Sequence, residues 1–379
     1  VVVHPRPLGV VGIISPWNYP LTLAASDAVA ALMAGNAVVL KPDSDTPFTA
    51  LAVRRLLTRA GADPDLFQVV TGPGSALGAP LIDAVDAVMF TGSTATGSAV
   101  ASRAGARLIP VSAELGGKNP LIVRADAPVG RTVRGTVKAC FSNSGQLCIS
   151  IERVYVHRDA WARFVPALVR AAESLRVGAT MDWGADMGPL ISAEHLAGVH
   201  AHVADAVAGG ATVLTGGRAL PEVGPTAYAP TLLTGVTEGM DVFAAETFGP
   251  VASLYRVSDD EEAVRLANAS PYGLNAAVWT ADRRAGVELA GRIRAGTVNV
   301  NEGYAAAWGS TAAPMGGMGA SGLGRRHGPE GIVKYTQSQT IAVQRLMPLQ
   351  APPGVGEARW ATAMAAWLRL ARRLPGLDR

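Results

Sequence analysis

The sequence holds only two cysteines, Cys140 and Cys148, in 379 residues. Two thiols so close in the chain cannot build a disulfide framework, so the reading is a reducing, cytoplasmic compartment. No opening segment has the form of a signal peptide, and no uninterrupted apolar run is long enough to span a bilayer; no membrane association is expected. A surplus of charge of one sign is also missing: 33 Lys and Arg stand against 30 Asp and Glu, a net charge of +3. The only dense basic cluster lies at the far C-terminus, which leaves no electrostatic case for nucleic acid. Charged residues of either sign are scarce, 17% against roughly 25% in an average soluble protein, which suggests surface covered by other subunits. An initiating methionine is absent as well. The chain begins Val1-Val2-Val3-His4 and runs almost at once into a strand pattern at 8–14. Either an alternative start codon was read as valine, or the chain is a fragment.

Apolar residues make up 49% of the chain, enough for a large core. The length suggests two or three domains at roughly 150 residues each. In the first third, strand patterns at 8–14, 38–40, 67–70, 85–90 and 108–111 alternate with helical ones. One helix opens at Thr46-Pro47, with Thr46 as N-cap, and runs to Ala60; another starts near Thr94. This alternation predicts an α/β fold with a doubly wound, Rossmann-like parallel sheet. The theme recurs later: helices over 129–141, 161–175 and 259–268, and strands over 152–156, 252–257, 276–280 and 297–300. Pro352-Pro353-Gly354 precedes a C-terminal helix.

Four short stretches carry chemistry. Gly145-Gln146-Leu147-Cys148 puts a cysteine in a glycine-containing loop after a helix end, where a thiol can be activated. A lone cysteine is more often a small buried hydrophobe, and Cys140, mid-helix, reads that way. Glu114-Leu115-Gly116-Gly117-Lys118 puts a carboxylate at the C-terminal mouth of a predicted parallel strand, where ligands bind in such sheets; alone it could be a solvated loop. Trp17-Asn18-Tyr19-Pro20 fixes an amide donor between aromatics, suited to an oxyanion, or is a plain turn. Phe90-Thr91-Gly92-Ser93, followed by Gly97, resembles a phosphate-binding turn without being the full glycine fingerprint.

Together these motifs, with Lys41-Pro42 and Glu246-Thr247-Phe248-Gly249-Pro250, occur in the order seen in the aldehyde dehydrogenase superfamily. The 34-residue step from Glu114 to Cys148 also matches. The sequence therefore resembles that superfamily over residues 1 to about 346. The resemblance implies NAD(P)-dependent oxidation of an aldehyde to an acid, with Cys148 as nucleophile and Asn18, with the Cys148 backbone N–H, holding the oxyanion. Glu114 would be the base that activates water against the thioester. It places Trp17, Lys41, Asp43, Ser44, Gly92, Ser93, Leu115, Glu246 and Phe248 against the cofactor. No metal site is implied. It also implies a cofactor domain over 1–116, a catalytic domain over 117–319, a return segment with a small oligomerisation strand over 320–350, and a C-terminal amphipathic helix over 351–379. A homodimer or homotetramer follows, as does an N-terminal family segment that this chain lacks.

Several details are similar to an NADP-linked succinate-semialdehyde dehydrogenase branch: Lys41-Pro42-Asp43-Ser44, Cys140-Phe141-Ser142-Asn143, Gly319 where many relatives have lysine, and Arg326 where many have glutamate. Ser44 stands where NAD-preferring members often carry an acid, so NADP is favoured over NAD. Ser142 and Ser26, however, stand where carboxylate-binding relatives carry arginine. From those serines, uncharged aliphatic or aromatic aldehydes are expected to serve at least as well as succinate semialdehyde. Two other readings stay open: a truncated, non-catalytic fragment or assembly partner, and a CoA-acylating relative, against which Glu114 argues. His195, His200 and His202 share one predicted helix at a spacing unsuited to a metal, and are read as a solvated face. In the C-terminal helix, Trp360, Met364, Trp367, Leu368 and Ala371 oppose Arg369, Arg372 and Arg373; packing on the enzyme or a partner subunit is favoured over a membrane surface.

Overall fold

After an exposed opening strand, β1 (Val2–Pro7), buried strands and helices alternate. In the computed structural model, which describes residues 1–344 and 350–373, two compact units form: Pro7–Gln337, and Val1–Arg6 with Ser338–Arg379. The first run is β2 (Val10–Ile14), α1 (Pro20–Met33), β3 (Ala37–Lys41), α2 (Pro47–Arg59), β4 (Phe67–Val69), α3 (Gly74–Ala84), β5 (Ala87–Thr91), α4 (Thr94–Ala106) and β6 (Val111–Glu114). Its strands make a six-stranded sheet in the order β14-β6-β5-β2-β3-β4, parallel except for the short β14 (Gly322–Leu323). Because strand side chains alternate faces, Val11, Ile13, Val38, Leu40 and Met89 pack against Ala24, Ala28 and Ala31 of α1 and Val53 of α2. Val88 and Phe90 pack on the other side against Leu81 and Ile82 of α3 and Val100 of α4. Both faces are covered, so the fold is a doubly wound α/β sheet.

The strand expected over 108–111 is displaced: the ladder begins at Val111 and runs to Glu114. The C-terminal turn of α4 consumes the preceding residues, with Leu108 N–H on the Gly105 carbonyl and Ile109 N–H on that of Ala104. Leu108 sits at φ 57° with its side chain in solvent, and Pro110 has no N–H to donate. Glu114 is therefore the last residue of the strand itself, paired with Thr91 on β5 and Gly322 on β14.

The second sheet starts five residues later, at Asn119. Its elements are β7 (Asn119–Val123), α5 (Val129–Phe141), β8 (Ile151–His157), α6 (Arg158–Glu173), α7 (Ala193–Ala208), β9 (Thr212–Thr215), β10 (Thr231–Thr234), α8 (Asp241–Ala244), β11 (Val251–Val257), α9 (Asp260–Asn268), β12 (Asn275–Trp279), α10 (Arg283–Ala290) and β13 (Thr297–Val300). The order is β13-β12-β7-β8-β11-β10-β9, with only β9 antiparallel among the described residues. Helix α6 begins three residues before the expected Trp161, because the His157 imidazole caps it by accepting from Asp159 N–H. Short helices α11 (Ala305–Trp308) and α12 (Gly328–Val333) flank the return through β14. No described helix is long and apolar enough to cross a membrane.

In the smaller unit, β1 pairs with β15 (Thr336–Ile341), and Arg6 Nε donates to Gln339 Oε1 at 2.9 Å. Helix α13 (Glu357–Ala371) carries no buried residue, though Trp360 and Met364 are half-covered.

Candidate active site

In a doubly wound sheet, ligands bind beyond the C-terminal strand ends where the winding direction reverses. Here β2 is followed outward by β3 and β4 on one side, and β5 and β6 lie on the other. At that switch point a cavity of about 250 Å³ is lined by Pro16, Trp17, Asn18, Leu23, Thr91, Gly92, Ser93, Glu114, Leu115, Gly116, Cys148, Glu246 and Phe248. A second cavity of about 50 Å³ shares Asn18, Leu23, Glu114 and Cys148 with it and continues along Tyr19, Leu147, Ile149, Tyr304, Trp308, Met315 and Arg326. The chain thus places one cysteine, one carboxyl and one carboxamide on the wall common to two chambers.

The loop before β8 is held in an uncommon shape. Asn143 (φ 51°), Ser144 (φ 57°) and Gly145 (φ 70°) are all left-handed. A Cβ at Gly145 would run into the Gly249 carbonyl, so only glycine fits. Gln146 stitches the loop down: its amide donates to Asn143 O and accepts from Ile191 N–H at 2.8 Å. Asn119 Nδ2 donates to the carbonyls of Cys148 and Ser150, both at 2.7 Å. Asn18 Nδ2 donates to the Gln146 carbonyl at 3.1 Å, and Asn143 Nδ2 donates to the Asn18 carbonyl at 3.1 Å. One N–H of the Asn18 carboxamide is thereby used for orientation; its second remains for a ligand beside Cys148.

The opposite wall is built on a buried ion pair. Lys118 meets Glu152 beneath the site, both almost fully buried. Glu152 accepts from the backbone N–H of Thr247 and of Phe248, each at about 3.0 Å, which fixes the 246–250 loop. Gly117 N–H donates to Glu246 Oε1 at 2.9 Å. The helix read as a solvated histidine face is one only at His200, which is exposed. His195 Nε2 lies 2.8 Å from the Phe248 carbonyl and His202 Nδ1 3.1 Å from Thr247 Oγ1, while His195 and Phe248 both pack edge-on to Trp17. An amphipathic period does not tell a solvent-facing stripe from one that clasps a loop.

Electrostatics separates the acids. Burial pushes Glu114 up to about 7, with Arg326 and Lys334 opposing and Asp27 adding. Its Oε1 is buried without a hydrogen-bond partner among the described residues. Burial pushes the Asp27 carboxyl up too, but Arg326 and Lys334 outweigh it and hold the group below its ordinary range. Asp27 accepts from Arg326 Nη2 at 2.7 Å, from Tyr335 O–H at 3.2 Å and from Lys334 at 3.4 Å. Arg326 also donates to Thr91 Oγ1 at 2.5 Å, and its Nη1 stands 3.9 Å from Glu114 Oε2. Glu246 rises to about 8, through burial and then Glu152. The half-buried Cys148 thiol rises to about 12, from burial, then Glu246 and Glu114. A neutral thiol beside a carboxyl near neutrality is an arrangement for passing one proton.

Of the candidate residues, Trp17, Asn18, Gly92, Ser93, Glu114, Leu115, Cys148, Glu246 and Phe248 meet at the first cavity. Lys41, Asp43 and Ser44 lie outside its wall, at the end of the neighbouring β3. Lys41 is buried, 4% exposed, with no acceptor for its ammonium among the described residues; Ser44 Oγ donates to the Gly72 carbonyl at 3.2 Å. Ser142 Oγ donates to Lys138 O at 2.6 Å, and Ser26 opens on a separate cavity with Asp27 and His327. Cys140 is buried in α5, away from the site. Sequence reasoning missed Asp27, Tyr304 and Trp308 as parts of the site. Asp27 had a signal, being an acid amid the apolar stretch Leu21 to Ala31; the other two had none.

Comparison with known proteins agrees with this geometry. A family model described as "Aldehyde dehydrogenase family" matches residues 1–341. A Mycobacterium ulcerans protein named "Putative succinate-semialdehyde dehydrogenase NADP(+) 2" is 55% identical over 371 residues, 98% of this chain and 72% of that protein. Among solved structures, an NAD-dependent aldehyde dehydrogenase from Sinorhizobium meliloti superposes with a TM-score of 0.88 at 36% identity, over 93% of this chain and 70% of that one. An aldehyde dehydrogenase from Bacillus cereus in complex with NAD+ gives 0.85 at 36% identity, over 89% of this chain and 68% of that one.

Proposed function

The chain belongs to the aldehyde dehydrogenase family, and on that premise we propose that it oxidises aldehydes with NAD(P)+ through a covalent intermediate on Cys148. The carrying observation is the meeting of Cys148, Asn18 and the unpartnered Glu114 carboxyl on the wall shared by two chambers. Glu114 is the acceptor for the thiol proton, which leaves a thiolate to attack the aldehyde carbon. The free Asn18 N–H, with the backbone N–H of Cys148, holds the oxyanion. NAD(P)+, when bound, accepts the hydride that turns the thiohemiacetal into a thioester. After Glu114 has given up the thiol proton to solvent, its carboxylate takes a proton from water, which attacks the thioester, expels the Cys148 thiolate and releases the acid.

The residues fit such a dinucleotide. Ser93 caps α4, whose N-terminal turn faces the larger cavity, where a helix dipole favours phosphate. The Lys41 side chain is nearly buried, and its ammonium, which makes no hydrogen bond among the described residues, would take a ribose hydroxyl as acceptor. Glu246, held by Gly117 N–H, and Phe248, held by Glu152, line the same cavity as Cys148 and would fix the nicotinamide ribose. Asp43, Ser44, Trp17, Gly92 and Leu115 complete the cofactor surface. NADP is the favoured form, in keeping with Ser44 and with the named relative.

The relative's name points to succinate semialdehyde as substrate. A second reading, uncharged aldehydes, is favoured by the apolar character of the smaller cavity and by Arg326, whose Nε and Nη2 are taken up by Asp27 and Thr91. Rapid-mixing kinetics tests the chemistry. Cys148→Ala should abolish NADP+ reduction with every aldehyde. Glu114→Gln should keep an initial burst of reduced cofactor while slowing steady turnover by about a hundredfold or more, the scale of general-base catalysis. Steady turnover in Cys148→Ala protein would refute the mechanism.

A further inference from the structure

A substrate ending in a carboxylate needs donors at its far end, since burying that charge unpaired is costly. The smaller cavity holds few. Asn18 and Glu114 are committed to the reacting centre. Arg326 has its Nε and Nη2 on Asp27 and Thr91, and its Nη1 faces Glu114. The phenol hydroxyls of Tyr19 and Tyr304 remain on the wall, beside the indole N–H of Trp308. Both side chains are half-buried and pack with Cys148 and Trp308 around Leu147, Ile149, Leu274 and Met315. Neither hydroxyl has a hydrogen-bond partner among the described residues; the buried Tyr335 and Tyr155 hydroxyls each have one, while that of Tyr255, which lines neither chamber, also has none. Both hydroxyls are open to the chamber of about 50 Å³, where each can donate to a ligand.

Resting on the reaction proposed above, we infer that Tyr19 and Tyr304 form the specificity site for the far end of the substrate: their O–H groups donate to the oxygens of a short aldehyde ending in a carboxylate. The grip is made by neutral donors in place of arginine. This accounts for serine at positions 26 and 142, neither of which lines the chamber, without requiring a free cation. Burial first, then Tyr304 and Cys148, raise the Tyr19 phenol to about 12, and both tyrosines pack in one cluster with Cys148. At neutral pH Tyr19 stays protonated and so donates.

Steady-state kinetics on the purified protein, with succinate semialdehyde and butanal as equal-length substrates, tests this. Tyr19→Phe and Tyr304→Phe each remove one oxygen and keep the ring. Each should lower the ratio of kcat/KM for succinate semialdehyde to that for butanal by about tenfold or more, corresponding to about 1.4 kcal/mol, mainly through KM. An unchanged ratio, or an equal loss on both substrates, overturns the assignment. Better turnover of 4-(trimethylammonio)butanal than of succinate semialdehyde would also overturn it, by giving the role to the ring faces. A binding measurement separates this idea from the reaction itself. Succinate should bind more tightly than butyrate by calorimetry, and the double Phe variant should erase that difference. Wild-type protein that oxidises neither aldehyde would defeat the reaction reading alone, and the calorimetric difference would still decide the tyrosines. A difference that persists in the double variant places the grip elsewhere.

Discussion

Three buried carboxyls near the reacting centre end in different states, and the difference lies in their partners. Asp27 has Arg326, Lys334 and Tyr335 around it and is held ionised. Glu114 has only a guanidinium nitrogen at 3.9 Å and settles near 7. Glu246 has one backbone N–H and a nearby Glu152, and settles near 8. In the proposed mechanism the carboxylate form of Glu114 is the base. Its raised value means the base is mostly protonated at pH 6 and mostly ionised at pH 8. Deacylation, read as the slow phase after the burst, should therefore rise with pH through about 7 and then level. A slow phase that is flat from pH 5.5 to 8.5 would remove Glu114 from the base role. Ser44 makes a separate point at this scale. It is exposed at the end of β3, its hydroxyl spent on the Gly72 carbonyl, and it offers no charge against a 2′-phosphate. Ser44→Glu should move the NADP/NAD ratio of kcat/KM toward NAD by about tenfold or more, the scale of one repelled charge. A wild type that already prefers NAD strongly would show the Ser44 argument to be wrong.

At the scale of elements, the loop from Asn143 to Cys148 shows what a one-dimensional reading reaches. Its glycine and cysteine are visible in the sequence, and so is its place after helix α5, which the structure bounds as expected at Val129–Phe141. Its shape is not visible, because three left-handed residues in a row are dictated by distant partners: the Gly249 carbonyl, Ile191 and Asn119. Gly145→Ala should therefore act at a distance from the chemistry. A left-handed alanine costs about 1–2 kcal/mol, and its methyl also meets the Gly249 backbone. Loss of at least tenfold in turnover with a lowered Tm is the expected outcome; unaltered Tm and turnover would show that the loop tolerates another path. The same limit explains the other differences. Strand β7 (Asn119–Val123) escaped notice because Pro120 reads against a central strand; the structure accommodates it at a register shift between Asn119 and Pro120. The strand expected over 108–111 had the right residues for a ladder, but the α4 turn claimed their N–H groups first. Motifs bound to backbone turns were legible. Partners supplied from far along the chain, such as Asp27 to Arg326 or His195 to Phe248, were not.

The whole molecule raises the question of what covers its terminal ribbon. Strand β1 is exposed along its entire length, and so are Gln337 to Ile341 of its partner β15. Val2, Val3, Ile341 and Val343 leave 54%, 57%, 44% and 64% of their surface in solvent. A two-stranded ribbon alone is marginal in water, and its open edges invite another strand. Natural monomers blunt such edges with charge, yet β1 carries only Arg6 and β15 no charged residue. This strand lies in the segment 320–350 expected to hold an oligomerisation strand, of which 345–349 lie outside the described residues. A chain with 17% charged residues has surface to spare for burial between subunits, and a stable interface takes about 800 Å² from each partner. These features lead us to propose that the ribbon pairs with a second copy of the chain, making a homodimer or a homotetramer. Sedimentation at micromolar concentration should give at least two chains per particle. Val3→Glu together with Val343→Glu should shift the distribution toward the monomer, since two carboxylates placed along a buried edge must either stay in water or lose hydration at a cost of several kcal/mol each. The active-site residues all lie in the Pro7–Gln337 unit, so the dissociated variant tests assembly without touching the chemistry. A wild-type protein that sediments as an active monomer across that range would leave the ribbon without its proposed role.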